Sequence, residues 1–202
     1  MLSPSCNAPQ TNGKVWVTAQ VMVNSLLMNT YENTGQLQIR LLQASDIDEI
    51  ADAFAQIGWN KSAALYRDYL TEQEAGERVV LVATVDNRFA GYVTIVWASH
   101  HPPFRAEGIP EVVDFNVLPH YRRQKIGTRL MDEAERRIGE RSAMAGIGVG
   151  LYPDYGAAQR MYVLRGYIPT GSGLWYDGHQ VQYGENPCLD DSLALFFTKP
   201  LR

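Results

Sequence analysis

The chain has 202 residues, of which 46% are hydrophobic and 20% charged, and this ordinary globular composition excludes a disordered, collagen-like or coiled-coil protein. A formal net charge of −4 argues against nucleic-acid binding through the whole surface, and the absence of a run of 18 apolar residues argues against a membrane segment. Two cysteines and four histidines without metal-ligand spacing predict neither a disulfide framework nor a metal site, so a cytoplasmic location is expected.

The first 36 residues differ from the rest of the chain. They contain one basic residue, Lys14, and their first acid is Glu32, while the mildly apolar stretch from Val15 to Met28 is interrupted by polar side chains. We therefore predict a mobile N-terminal extension over residues 1–36, with Met22 and Met28 as alternative natural starts, and a folded domain over residues 37–202.

The patterned region predicts alternating strands and helices. Strands are expected at 37–41, 79–85, 92–97, 111–117, 147–151, 167–175 and 193–198, with helices at 45–57, 62–75, 126–138 and 156–165. Asp86-Asn87 is typical of a hairpin turn, and the segment from His100 to Pro103 is expected to be a solvated loop. The order predicts a mixed sheet with helices on its faces.

A cluster of positive charge precedes the helix predicted to begin near Ile126. Arg122, Arg123, Lys125 and Arg129 lie within eight residues with no acid among them, although the whole chain is acidic. Cations are unfavourable at a helix N-terminus, where the helix dipole is positive and the first N–H groups lack partners. A bound anion removes this conflict, so the pattern predicts a phosphate or diphosphate site, although the cluster alone fits a solvated basic surface equally well.

Two motifs place this loop in a family context. The run Arg122-Arg123-Gln124-Lys125-Ile126-Gly127, preceded by VLPHY, resembles the (Q/R)-x-x-G-x-(G/A) signature of the GNAT superfamily of N-acetyltransferases and its V-x-P-x-Y lead-in. About thirty residues later, GAAQRMYVLRGY at 156–167 resembles the second signature, A-x-x-L-Y-x-x-x-G-F. Lys125 replaces the first motif glycine, so either the backbone there accepts a side chain or the phosphate binds differently.

The resemblance implies a fold and a co-substrate. The implied fold is of the α/β (α+β) class, with a mixed, mostly antiparallel sheet of six to seven strands flanked by about four helices. The sheet would be splayed beside strand 111–117, where acetyl-CoA would enter. Main-chain groups of that strand would pair with the pantetheine arm, and amides of the following loop would hold the diphosphate. The implied acetyl-CoA-binding residues are Phe115, Asn116, Val117, Arg122, Arg123, Gln124, Lys125, Ile126, Gly127 and Thr128. No metal is implied.

The implied reaction is acetyl transfer from the thioester to an amine. Tyr162 matches the family tyrosine that protonates the departing sulfur. Glu111 precedes Val117 by an offset that resembles that of the glutamate base in the histone-acetylating branch. The alternative is that Glu111 is simply a solvent-exposed glutamate at the start of a strand. By simple alternation, Glu111 shares a strand face with Phe115 and Val117, unless a bulge intervenes, and Asp114, a second candidate base, lies on the opposite face. A water chain is the third alternative.

The acceptor is the least determined part. Tyr152 and Asp154 are predicted to contact it, since aromatic walls with an acid suit an organic ammonium. Further candidate lining residues are Trp59, Tyr66, Trp175 and Tyr176. Gly150 and Tyr155 stand where the ribosomal-protein alanine acetyltransferases have a glutamate and an asparagine, which argues against that subfamily. The leading hypothesis is acetylation of a small primary amine. A protein or peptide acetyltransferase and a non-catalytic acyl-CoA sensor remain alternatives, as do a monomer and a homodimer.

Overall fold

The computed structural model describes residues 36–201, which fold around one eight-stranded sheet. The strands are β1 (Leu37–Leu41), β2 (Arg78–Val85), β3 (Arg88–Val96), β4 (Glu111–Val117), β5 (Met144–Gly150), β6 (Ile168–Tyr176), β7 (His179–Gln180) and β8 (Leu193–Pro200). The helices are α1 (Ile47–Gln56), α2 (Ala63–Glu74), α3 (Pro102–Glu107), α4 (Ile126–Gly139) and α5 (Gly156–Leu164). The predicted N-terminal extension lies outside the described residues except for Gln36.

The strands are arranged in the order β1-β2-β3-β4-β5-β8-β6-β7. Within residues 36–201, β4 and β5 form the one parallel pair, and the remaining neighbours are antiparallel. A parallel connection needs a crossover, and α4 supplies it between β4 and β5. This crossover places the N-terminus of α4 directly after the carboxyl end of β4.

Each face of the sheet carries its own hydrophobic core, because side chains alternate along the strands. On one face, Phe54 of α1 and Tyr66 of α2 pack against Tyr92 of β3. On the other face, Leu130 and Met131 of α4 belong to a cluster that also contains residues of β2, β3, β4, β5 and α5. The sheet is thus covered on both sides, and α4 is held rigidly against β4.

The predicted α/β class and GNAT-like mixed sheet are confirmed, with two differences in detail. There are eight strands rather than six to seven, because the two-residue strand β7 pairs with the end of β6. A fifth helix, α3, replaces part of the predicted loop after His101. Its two prolines occupy the first turn, where a missing N–H costs nothing, and Gly108 ends it in the left-handed region with φ 65°.

The predicted hairpin between β2 and β3 is also present. Its two turn residues, Asp86 and Asn87, have positive φ values of 50° and 62°, as a two-residue hairpin turn of this hand requires. The second strand of this hairpin, β3, is the strand with which β4 pairs.

Candidate functional site

The central feature of the site is a splay between β4 and β5. The two parallel strands pair only at Glu111 with Gly146 and at Val112 with Ile147, and they diverge towards their carboxyl ends. Residues Val113 to Val117 therefore have a main-chain edge that faces a gap instead of a strand. An extended chain can bind such an edge by main-chain hydrogen bonds.

A bulge bends β4 at the point where the gap opens. Tyr92 pairs with Asn116 and Thr94 with Val113, so a single residue of β3, Val93, lies opposite both Asp114 and Phe115. The bulge corrects the predicted alternation. Phe115 packs into the core on the α4 face, whereas Asp114 bonds to α2 on the opposite face, and Glu111 does not share a face with Phe115.

The open end of the gap leads to the N-terminus of α4. The first hydrogen bond of this helix runs from the Arg129 N–H to the Lys125 carbonyl (3.0 Å). The N–H groups of Ile126, Gly127 and Thr128 come before this bond and therefore have no carbonyl partner within the helix. No side chain caps this end. The cations predicted around it are exposed, and among residues 36–201 none of them forms an ion pair with a carboxylate. These are the properties of an anion site.

The backbone of this loop explains how Lys125 replaces a glycine. Lys125 has φ 62° and ψ 9°, a left-handed conformation that glycine adopts at little cost and lysine does not. The glycine-like loop shape is therefore kept, and the ammonium group is added to it. Gly127 has a different role: a Cβ there would lie 3.0 Å from the ring of Phe115, so glycine lets α4 pack closely on β4.

A groove of about 340 Å³ continues from this loop between α4 and α5. Thr128 lines it on one side, and Arg160 and Met161 line it on the other. Arg160 was not anticipated from the sequence, although it lies two residues before Tyr162 in the second motif. It adds a further exposed cation beside the predicted diphosphate loop.

Tyr162 of α5 is 5% exposed and belongs to the core cluster on the α4 face. Burial raises the pKa of its hydroxyl above the usual value of 10, so the phenol is protonated at neutral pH. Burial is the one cause of this shift, and no hydrogen bond to a side chain of residues 36–201 contributes to it. The proton is thus available to a bound group, as the predicted role requires.

Glu111 lies at the closed end of the splay and is 6% exposed. Burial raises the pKa of its carboxyl above 4.5, and the hydrogen bond from the Ser99 hydroxyl (2.5 Å) lowers it in part. A buried carboxylate with a raised pKa is a better proton acceptor than an exposed one. The solvent-exposed strand end considered from the sequence is therefore wrong for Glu111.

Asp114 has a different environment. Its carboxylate accepts hydrogen bonds from Lys61 (2.6 Å), Tyr69 (2.9 Å), Tyr92 (2.5 Å) and Asn116 (2.8 Å). Asp114 is therefore held by donors from several elements, while Glu111 has one side-chain donor. Lys61 and Ser99 gave no motif signal, because their partners on β4 lie 53 and 12 residues further along the chain.

The predicted acceptor residues lie after the carboxyl end of β5. The hydroxyls of Tyr152 and Tyr155 both donate to the Asp191 carboxylate, the second over 2.9 Å, whereas Asp154 is exposed. Asp191 therefore joins the segment before α5 to the segment before β8. Tyr66, considered as a lining residue, lies fully buried in the core against α1.

An aromatic cluster stands beside the vertex of the splay. Gly148 is the first residue of β5 beyond the last β4 pair, and a Cβ there would lie 2.9 Å from the Phe196 ring. His101 stacks on Phe196 with centroids 3.6 Å apart, and Trp175 meets His101 edge-on at 4.4 Å. His101 is 5% exposed, which corrects the expected solvated loop, and burial lowers its pKa to about 4.

The residues present fit acetyl-CoA on two independent observations. The open edge of β4 suits a pantetheine arm, and the uncapped N-terminus of α4 with its unpaired cations suits a diphosphate. Within residues 36–201, no group of three or more histidine, cysteine, aspartate or glutamate residues could hold a metal ion, and no helix has the length and hydrophobicity that a bilayer span needs.

Comparison with known proteins agrees with this geometry. Residues 44–167 match the acetyltransferase (GNAT) family. A putative GNAT-family acetyltransferase from Desulfovibrio desulfuricans is 14% identical, with 83% of this chain and 100% of that chain covered and a TM-score of 0.62. YncA from Salmonella typhimurium, a putative acetyltransferase solved with its cofactor acetyl-CoA, is 18% identical, with 82% and 94% covered and a TM-score of 0.57.

PaiA N-acetyltransferase from Thermoplasma acidophilum, solved with coenzyme A, is 14% identical, with 82% of this chain and 99% of that chain covered and a TM-score of 0.57. At these identities the likeness shows the fold. No curated protein matches the chain. The family match covers more than half of the sequence and includes the splayed strands, the cationic loop and Tyr162, so the chain belongs to the GNAT family of acetyltransferases and is an acyltransferase.

Proposed function

We propose that this protein transfers an acetyl group from acetyl-CoA to a primary amine of a small molecule. The observation that carries the proposal is the splay of β4 from β5, with the uncapped N-terminus of α4 at its open end and Tyr162 in the adjoining helix. These features support the proposal, since they would supply an extended edge, an anion site and a proton donor.

A small acceptor is favoured by the aromatic cluster at the vertex. His101, Trp175 and Phe196 pack against one another beside the vertex, where Glu111 supplies a buried carboxyl. Apolar walls with a few placed polar groups are typical of small-molecule sites. A peptide acceptor would instead need a long open groove.

The chemistry divides between the chain and the co-substrate. Acetyl-CoA supplies an acetyl group activated as a thioester. The nitrogen–carbon bond forms as the carbon–sulfur bond breaks. We assign the amine proton to the Glu111 carboxylate, directly or through water, and we assign the proton delivered to the departing sulfur to the Tyr162 hydroxyl. A main-chain N–H near Phe115 or Asn116 would stabilise negative charge on the carbonyl oxygen.

The proposal is tested by following free thiol release from acetyl-CoA across two matched panels, one of small primary amines and one of peptides. Turnover with small amines is expected, and the acetylated product should be identified by mass. Turnover with peptides alone would replace the small-amine assignment by a peptide one. Saturable acetyl-CoA binding with no turnover in either panel would contradict transferase activity towards these amines and favour a sensor.

A further inference from the structure

Asp114 has an unusual backbone for its place in the sheet. Its φ is 45°, and among residues 36–201 it is the one non-glycine residue inside a strand with a positive φ. This conformation costs an ordinary residue roughly 1–2 kcal/mol, and aspartate tolerates it better than most. The strained residue coincides with the bulge at which β4 leaves β5.

The side chain of Asp114 is fixed by four donors from separate parts of the fold. Lys61 precedes α2, Tyr69 lies within α2, Tyr92 is on β3, and Asn116 is on β4 itself. Lys61 and Asn116 bond to one carboxylate oxygen, and the two tyrosines bond to the other. The Lys61 ammonium also lies 5.6 Å from the centroid of the Tyr92 ring.

The network leaves little capacity for a substrate. Each carboxylate oxygen accepts about two hydrogen bonds, and both oxygens already have two donors. Burial and the neighbouring Asp114 charge raise the pKa values of Tyr69 and Tyr92, so both hydroxyls stay protonated and continue to donate. Asp114 therefore has little free capacity to bind a substrate ammonium, because donors of the fold occupy both of its oxygens.

We propose that Asp114 is a positioning residue: its carboxylate, tied to Lys61, Tyr69, Tyr92 and Asn116, holds the left-handed backbone that makes the β4 bulge. The bulge turns residues 115–117 towards the gap, where the proposed function needs their main-chain groups for acetyl-CoA and the thioester carbonyl. The same ties join α2 to the site, so the start of this helix contributes to the geometry of β4 without contacting a substrate.

Three substitutions separate backbone geometry from side-chain chemistry. Asp114→Asn keeps a residue that favours positive φ and one acceptor oxygen with its two donors, Asp114→Gly keeps the permitted φ without the network, and Asp114→Ala loses both. We expect kcat to stay within about threefold for Asn, to fall several-fold for Gly and to fall about tenfold or more for Ala, since 1.4 kcal/mol of strain corresponds to a factor of ten. The acetyl-CoA Kd, measured by calorimetry, should change less than kcat.

Crystal structures of the unliganded variants provide a readout that does not need turnover. Residue 114 should keep a positive φ in the Asn and Gly variants, and the bulge should be lost or shifted in the Ala variant. A retained bulge in Ala, or an Asn variant as inactive as Ala with its bulge intact, would overturn the proposal. If the wild type turned over no amine, the proposed function would fail, and these structures would still decide the role of Asp114 in the bulge.

A milder change guards against misfolding of the Asp114 variants. Lys61→Met removes one of the four donors and should lower kcat several-fold, with a smaller change in the acetyl-CoA Kd. Arg67→Met is the matched control on α2, because it removes only the exposed contact of Arg67 with Asp48 at 3.7 Å. Equal effects of the two substitutions, or no effect of Lys61→Met, would contradict the proposal.

Discussion

The two ends of the cleft are built in different ways. At the α4 end, the proposed anion site consists of consecutive residues with main-chain N–H groups and exposed cations, and Lys125 is in a strained conformation. At the vertex, the site consists of side chains that are distant in the sequence. Lys61 and Asp114 are 53 residues apart, and His101 stacks on Phe196 from another part of the fold.

This difference follows from what each end must do. A diphosphate is recognised by its charge, which a helix N-terminus and exposed cations can match without a precise side-chain arrangement. Proton transfer and acceptor choice need groups at fixed positions in a protected environment. Substitutions should therefore mainly change turnover at the vertex and mainly change acetyl-CoA affinity at the α4 end.

The largest effect is expected for Glu111→Gln at the vertex. Loss of the base should lower kcat by about 10²–10³ with little change in the acetyl-CoA Kd, as is typical of a general base. In the wild type, the raised pKa of Glu111 should place the acid limb of the rate profile above pH 4.5, because the carboxylate accepts a proton only when ionised. Steady-state rates from pH 4 to 9 test the loss of kcat and the position of the acid limb, and calorimetry measures the acetyl-CoA Kd.

Glu74→Gln, at an exposed carboxyl at the end of α2, is the matched control and should have wild-type kinetics. If the acid limb of the rate profile persisted unchanged in Glu111→Gln, the titration of another group would be its cause. Full turnover of that variant would leave a water chain as the route for the amine proton.

Tyr162→Phe should have the next largest effect, because the proposed acid delivers a proton to the departing sulfur. Removal of the hydroxyl should lower kcat by about 10² while the ring continues to fill the core. Tyr167→Phe is the control, since this buried ring lies 6.0 Å from Tyr162 and has no proposed part in the reaction. Stopped-flow measurement of thiol release compares the two, and equal rates would remove the proposed acid.

The smallest effect is expected at the α4 end, from Lys125→Gly. Glycine relieves the left-handed strain, so the unliganded protein should gain about 1 kcal/mol of unfolding free energy, or ~2–4 °C in Tm. Lys125→Ala loses the same ammonium without relieving the strain and should not gain stability. Thermal unfolding of both variants makes the comparison, and a lower Tm for the glycine variant would show that the lysine stabilises the loop.

How far the sequence led depended on whether the information was local. The hairpin at Asp86-Asn87 and the two motifs are continuous segments, so the family and the fold class could be predicted from them. The position of the bulge was not predicted, because the sequence of strand 111–117 is compatible with regular alternation of side chains between the two faces. Only the acid in the middle of an apolar strand, Asp114, could have indicated it.

Helix α3 and the tertiary contacts of the vertex residues were missed for another reason. Two prolines after His101 were interpreted as a loop, although proline is favourable in the first turn of a helix. The partners of Glu111 and His101 are set by tertiary contacts that no spacing rule contains. Consequently, these contacts could be identified only from the structure.

Calorimetric titration with acetyl-CoA tests most directly the claim that the loop after Tyr121 binds the diphosphate. We expect saturable binding to one site per chain, weakened about tenfold by Arg122→Gln, since a charge-assisted hydrogen bond contributes roughly 1.5–3 kcal/mol. Arg136→Gln, at an exposed arginine further along α4 that pairs with Glu133 and Glu140, should leave the affinity unchanged. No heat at saturating acetyl-CoA, or equal affinity for the wild type and Arg122→Gln, would contradict this account of the loop.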